Sequence, residues 1–121
     1  MSRPAVRRGE IWWASLPEPV GSEPGDRRSV LVVQADSFNR SRIRTVVAVV
    51  LTTNLRLAEA PGNVLLPRED SGLPKDSVAN VSQVVTADRR FLTEKIRVLP
   101  VDLVRAVDQG LLLVFDLETL R

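Results

Sequence analysis

Apolar residues along this chain fall into short runs, separated by polar stretches that hold glycine and proline. The first run, Ile11 to Leu16, has two tryptophans at its centre and predicts a strand. Residues 17 to 27 hold three prolines and two glycines (Pro17, Pro19, Pro24, Gly21, Gly25) and read as a loop. Such a length is near the point where structureless loops become uncommon and are often functional. Val30 to Gln34 is a continuous β-branched and aliphatic run, the pattern of a strand covered on both faces. Asp36-Ser37-Phe38-Asn39 carries turn and cap residues suited to a single helical turn. Val46 to Leu51 is the strongest strand signal in the chain.

The second half continues in short pieces. Leu55 to Gly62 reads as a loop or short helical turn closed by Pro61-Gly62, and Val64 to Leu66 as a short strand. Pro67 to Lys75 reads as a second polar loop. Ser77 to Val85 alternates imperfectly, which fits a bulged strand with one polar face. Ala87 to Leu92 is read as a short helix capped by Thr86, and Ile96 to Leu99 as a last strand. Pro100 suits the first position of a helix, and Asp102 suits its positive end. Leu103, Val104, Val107, Leu111, Val114 and Phe115 then keep the three-and-four spacing of an amphipathic helix. Gly110 interrupts it at a cost of about 1 kcal/mol relative to alanine. A glycine there allows close approach by another backbone, such as that of a partner subunit. Short strands followed by one terminal helix describe a small curled antiparallel sheet, closed as a partly open barrel and capped by the helix.

The length of 121 residues fits one domain with one modest core. There is no cysteine and no histidine. Disulfides and thiolate metal sites are therefore excluded, zinc is improbable, and the usual acid–base pair near neutral pH is missing. No apolar run approaches the roughly 18 residues of a membrane span, and the basic N-terminus is not followed by an apolar segment. A cytoplasmic protein is expected, with no membrane partner. Net charge is only +2, but the cations are fifteen arginines and two lysines, Lys75 and Lys95. Arginine grips phosphate with a rigid fork where lysine offers a point charge. Arg3, Arg7, Arg8, Arg27, Arg28, Arg40, Arg42 and Arg44 all precede the middle of the chain. Arginine-rich codon usage or a basic face that meets nucleic acid would each produce this pattern.

Arg28 sits one residue before a strand that reads as buried, so its position is fixed, whereas Arg27 faces the loop side and solvent. Arg28 can act on a phosphate, or it can pin the loop through a salt bridge to Glu10 or Glu23. Thr52 and Thr53 end the apolar strand, where side chains emerge from the core; they can contact a ligand or simply cap the strand. Asn54 can bond a base or make the turn. Ser77, Asn80, Ser82 and Gln83 form a polar strand side able to read single-stranded bases, or merely to face solvent. Trp12 and Trp13 must face opposite ways, one into the core and the other toward a groove or subunit contact. Glu69-Asp70 lies in a loop, and no phosphate-binding glycine loop or metal motif is present.

Taken in order, several segments resemble the MazF/PemK/Kid family of toxin endoribonucleases. They are Arg8 onward, Gly21-Ser22-Glu23, Arg28-Ser29-Val30-Leu31-Val32-Val33-Gln34, Thr52-Thr53-Asn54, Pro61-Gly62-Asn63-Val64, Asp76-Ser77-Val78 and Leu92-Thr93-Glu94. The resemblance implies a mainly β fold with a helix, an SH3-like curled barrel over residues 1–121, working as a homodimer. It implies metal-independent cleavage of single-stranded RNA, with no cofactor, leaving 2′,3′-cyclic phosphate and 5′-hydroxyl ends. It also implies a cognate antitoxin whose acidic disordered tail blocks the RNA groove. The family's catalytic arginine falls on Arg28 and its catalytic threonine on Thr52. Ser22, Glu23, Arg27, Thr53, Asn54, Ser77, Asn80, Ser82 and Gln83 are the expected RNA-binding residues. Two positions depart from the family: Ser29 stands where proline is usual, and Ser82 where some members carry an acidic base. Glu23 or Asp26 could substitute for that base. The rival expectations are a toxin of the same fold that binds a protein target without cleaving, as the gyrase poison CcdB does, or an inactive binding module.

Overall fold

The computed structural model describes residues 4–16 and 27–118. Six strands form one sheet: β1 (Glu10–Ser15), β2 (Arg27–Val32), β3 (Thr45–Thr52), β4 (Val64–Leu66), β5 (Ser77–Asp88) and β6 (Leu92–Val98). Their order is β4-β5-β3-β2-β1-β6, and every neighbouring pair is antiparallel. Among the described residues three α-helices join the sheet: α1 (Asp36–Asn39), α2 (Arg68–Ser71) and α3 (Val101–Val114). The result is a curled half-barrel with a C-terminal helix.

The unbroken apolar runs of β2 and β3 follow from burial on both faces. Successive residues of a strand point to opposite sides. Ile11, Leu31, Val49 and Leu51 therefore join one cluster, which α3 covers with Leu103, Val104, Val107 and Leu111. Trp12, Ala14, Val30, Val32, Val46 and Ala48 join a second cluster on the other face. Each fully buried valine or leucine contributes about 1.5–3 kcal/mol. Arg8 fastens the helix to the sheet: its guanidinium pairs with Asp108 of α3, and its Nε donates to the Val33 carbonyl at 3.0 Å.

Several boundaries differ from the sequence expectation. Residues 67–75 contain the one-turn helix α2, closed by Gly72 in the left-handed region (φ 76°), whose N–H donates to the Arg68 carbonyl at 2.9 Å. Residues 87–92 do not form a helix capped by Thr86. β5 continues to Asp88, because Thr86 and Ala87 pair with Val47 and Val46 of β3. A 3-10 turn over Arg89–Phe91 follows, capped by the Asp88 carboxylate, which accepts from Arg90 N at 2.9 Å. Pro100 is the N-cap of α3 and not its first helical residue, while Val114 and Phe115 lie exposed beyond the packed stripe.

Gly110 does meet another backbone, and it belongs to the same chain. A Cβ at Gly110 would lie 2.0 Å from the Gly62 carbonyl oxygen. The helix thus rests directly on the turn before β4. The contact satisfies the glycine without a partner subunit.

Candidate active site

The β2–β3 ladder runs Val32↔Ala48, Leu31↔Val49, Val30↔Val50. Continued by two residues, that register sets Arg28 opposite Thr52. Arg28 Nη2 donates to the Leu51 carbonyl at 3.2 Å, which ties the guanidinium to the end of β3. Its half-burial lowers the guanidinium pKa from the ordinary value, but the group stays charged. Glu10 is not its counter-ion. The Glu10 carboxylate accepts from Trp12 Nε1 at 3.0 Å and Arg7 N at 2.9 Å, and pairs with Lys95 at 3.0 Å. The other suggested anchor, Glu23, lies outside the described residues, as does Ser22.

Thr52 is buried at the last position of β3, opposite Val78 of β5. Its Oγ1 accepts from Asn54 N at 3.1 Å. Asn54 is a turn-maker here: its side-chain oxygen accepts from Arg56 N at 3.2 Å and starts the 3-10 turn Leu55–Glu59. Thr53 is exposed and opens onto a cavity of about 250 Å³, lined by Trp13, Ser29, Thr53, Leu73, Pro74, Lys75 and Ser77. Ser77 is almost fully buried in its wall, and its hydroxyl donates to the Lys75 carbonyl at 3.2 Å. Arg27 lies over the Trp13 ring, 4.3 Å from its centre, and pairs with Glu94 at 3.3 Å. The two tryptophans divide as alternation requires, with Trp12 in the core and Trp13 at the cavity.

Ser77, Asn80, Ser82 and Gln83 do not form one polar strand side. The β3–β5 register jumps between Val49↔Val84 and Val50↔Asn80, leaving Val81, Ser82 and Gln83 in a bulge. Asn80 Nδ2 donates to Gln83 Oε1 at 2.9 Å, and Asn80 Oδ1 accepts from Asn63 Nδ2 at 3.3 Å. Asn63 Oδ1 accepts from Val81 N at 2.9 Å, so the turn beneath Gly110 sets this amide row. Ser82 is exposed within the bulge. Asn80 pairs with Val50, two residues along the strand from Thr52.

The structure thus brings Arg28, Thr52, Thr53 and Ser77 to one end of the sheet, with Arg27 over Trp13 beside them. Asn80 and Gln83 stand a short step away. Lys75 and Ser29 complete the cavity; in the sequence, Lys75 stood out only as one of two lysines. The early arginines do not share one face. Arg27 and Arg28 lie at this end, Arg40, Arg42 and Arg44 lie toward the opposite end, and Arg8 is spent on Asp108. Among the described residues no group of three or more carboxylates could hold a metal ion, and no helix is long and apolar enough to cross a membrane.

Comparison with known proteins identifies the family. Residues 7–115 match the family described as the PemK-like, MazF-like toxin of type II toxin–antitoxin systems. The chain is 48% identical over 112 residues to endoribonuclease MazF6 of Mycobacterium tuberculosis, covering 93% of this chain and 98% of that protein. It is 37% identical over 106 residues to endoribonuclease EndoA of Bacillus subtilis, covering 88% and 90% of the two chains. A solved mycobacterial endoribonuclease shares the fold with a TM-score of 0.78 at 21% identity, covering 99% of this chain and all of that one. A mycobacterial endoribonuclease solved with its cognate antitoxin gives 0.74 at 21% identity, covering 96% and 98% of the two chains. With 48% identity along nearly its whole length and a family match from residue 7 to 115, the chain belongs to the PemK/MazF family as a MazF-type endoribonuclease toxin of a type II toxin–antitoxin system.

Proposed function

We propose that the protein, a single domain acting in the cytoplasm, cuts single-stranded RNA at the Arg28–Thr52 end of the sheet without a metal or other cofactor. The observation that carries this reading is the guanidinium tethered to the Leu51 carbonyl, in register with Thr52 and at the same end of the sheet as the Trp13 cavity. The 2′-hydroxyl oxygen of the RNA attacks the adjacent phosphorus. The new O2′–P bond forms as the P–O5′ bond breaks, leaving a 2′,3′-cyclic phosphate and a 5′-hydroxyl. The hydroxyl proton passes to water or to a carboxylate of the preceding segment, Glu23 or Asp26, and the leaving oxygen takes a proton from solvent. Arg28 pairs with the non-bridging oxygens as charge builds on them, a contribution often among the largest in catalysis. A guanidinium is a poor proton donor, so its role is electrostatic. The Thr52 hydroxyl bonds the phosphate or aligns the nucleophile, and fixed alignment itself accelerates the step.

Trp13 offers a ring face for a base, and Asn80 and Gln83 offer amides for base edges. Arg27, Thr53, Asn54, Ser77 and Ser82, with Ser22 and Glu23 of the preceding segment, complete the RNA contacts. An acidic antitoxin segment competes for the same cationic end, formed by Arg27, Arg28 and Lys75. A homodimer is the working unit. Val98, Val101, Leu113, Phe115 and Leu117 are each more than half exposed and supply apolar surface for it.

The test is purified protein with a long single-stranded RNA in EDTA, followed by end-group analysis. Cyclic phosphate and 5′-hydroxyl ends are expected. Activity lost in EDTA and regained with Mg²⁺, or 5′-phosphate products, would overturn the mechanism. Tight RNA or protein binding with no cutting would favour a non-cleaving toxin.

A further inference from the structure

Toward the Thr45 end of β3, a cleft of about 840 Å³ opens between the residues before β1, helix α1, Arg89 of the 3-10 turn and Lys95 of β6. Its charged lining is Arg7, Arg40, Arg89 and Lys95 against Glu10 and Asp36. Lys95 and Glu10 neutralise each other at 3.0 Å. The Asp36 carboxylate already accepts from Arg8 N at 2.8 Å and Asn39 Nδ2 at 2.9 Å. Three guanidinium groups therefore face one carboxylate.

Arg89 is the unusual member. It is only 7% exposed. Its main-chain N–H donates to the Arg44 carbonyl at 2.9 Å and its Nη2 to the Phe38 carbonyl at 3.3 Å, so the side chain is held in place. Its Nε is buried and has no hydrogen-bond partner among the described residues. The neighbouring buried amides, Gln34 and Asn39, are by contrast fully engaged with each other and with main chain. A buried donor left without a partner destabilises its site, and an anionic ligand bound by this guanidinium would offset that.

We infer that this cleft is a second anion site, which takes a backbone phosphate of the RNA outside the segment being cut. The ligand class rests on the RNA-cleaving reading above. A phosphate matches the arginine fork, and phosphate contacts of this kind position a strand without reading its sequence. A docked acidic peptide would also want an apolar anchor, and the apolar lining here is limited to Pro4, Ala5 and Val6. Arg89 lies by the Thr45 end of β3, where its N–H meets the Arg44 carbonyl, and the cutting residues lie at the Thr52 end. An RNA must therefore run past the cut to fill both.

The experiment compares wild type with the Arg7→Gln/Arg40→Gln double variant and with Arg89→Gln, each checked by thermal unfolding. The ligands are a short oligonucleotide spanning only the cut and one extended on both sides, each with a 2′-deoxy nucleotide at the cut. Affinity for the extended analogue should fall about tenfold in the double variant. Its salt slope should drop by roughly 0.7 for each phosphate that is no longer neutralised. Binding of the short analogue and cutting of its unmodified counterpart should not change. If Arg89→Gln does not fold, the double variant carries the test alone. Unchanged extended-RNA affinity and slope in a folded double variant would overturn the inference. Two further outcomes would overturn it: stabilisation of wild type by inorganic phosphate alone, or loss of affinity for an acidic peptide alone. Failure of wild type to cut the short, unmodified oligonucleotide would count against the proposed function and leave the anion site to be judged on affinity.

Discussion

Each end of the sheet holds an arginine tied by one guanidinium nitrogen to a main-chain carbonyl. Arg28 reaches Leu51 and Arg89 reaches Phe38. Their surroundings differ. Opposite Arg28 stands the hydroxyl of Thr52, and the cavity lined by Trp13, Ser29, Thr53 and Ser77 opens at the same end of the sheet. Beside Arg89 stand other cations, a neutralised ion pair and the satisfied amides of Gln34 and Asn39. On the proposed reading, one end adds to charge a hydroxyl that aligns a nucleophile and a nearby ring face for a base, whereas the other has charge alone, suited to holding a phosphate without cutting it.

The largest effect is expected at Arg28. Arg28→Ala should lower single-turnover cleavage by about 10²–10³-fold while thermal unfolding stays close to wild type. Arg28→Lys should recover only part, since the ammonium lacks the fork. Near wild-type cutting by the alanine variant would reduce Arg28 to an anchor like Arg89. Gly110→Ala comes next. Its Cβ must displace the Gly62 carbonyl, so a loss of about 1–3 kcal/mol in urea unfolding is expected. Because Asn63 follows Gly62 and holds Asn80, the surviving folded protein should also cut an altered set of sequences, read by end mapping. An unchanged cleavage pattern would detach the amide row from the helix.

Thr52→Val should slow cleavage by about tenfold, the worth of roughly one hydrogen bond to a charged group, and Thr52→Ser should keep most of the rate. Equal rates for valine and serine would assign Thr52 to the Asn54 turn alone. The smallest effect belongs to the Arg89 end. Hydrogen bonds from Arg8 N and Asn39 hold the Asp36 carboxyl below its ordinary pKa. A depressed carboxylate contributes stability that is fully present above its unfolded value, about 3.9, and fades as pH falls through the lower folded value. Asp36→Asn should therefore flatten the acid limb of a urea-midpoint profile below the ordinary carboxylate range and change cleavage little. An unaltered limb would remove Asp36 as a contributor.

Much of this architecture was legible in the sequence, for identifiable reasons. Val46 to Leu51 could only be a buried strand, and β3 follows it from Thr45 to Thr52. Arg28 and Thr52 flank such runs, so strand pairing had to bring them to the same end. Residues 87–92 misled because Ala87 to Phe91 carries helix-compatible residues, while the deciding force was pairing with β3, a partner distant in sequence. The Arg89 cleft was invisible for a similar reason. Arg89-Arg90 reads as a solvated pair, and only the fold buries one while leaving the other exposed. Gly110 was legible as a close approach, but its counterpart at Gly62 needed three dimensions.

The bulge in β5 has a consequence for how such a protein diversifies. Val81, Ser82 and Gln83 are extra residues with no rung opposite them, while the ladder on either side keeps its pairing. Val81 points into the core, but Ser82 is outside it. A lineage can therefore exchange the residue at position 82, whether serine or a carboxylate, without disturbing a single rung of the sheet. That one insertion can therefore change its exposed side chain while the rest of the molecule stands still.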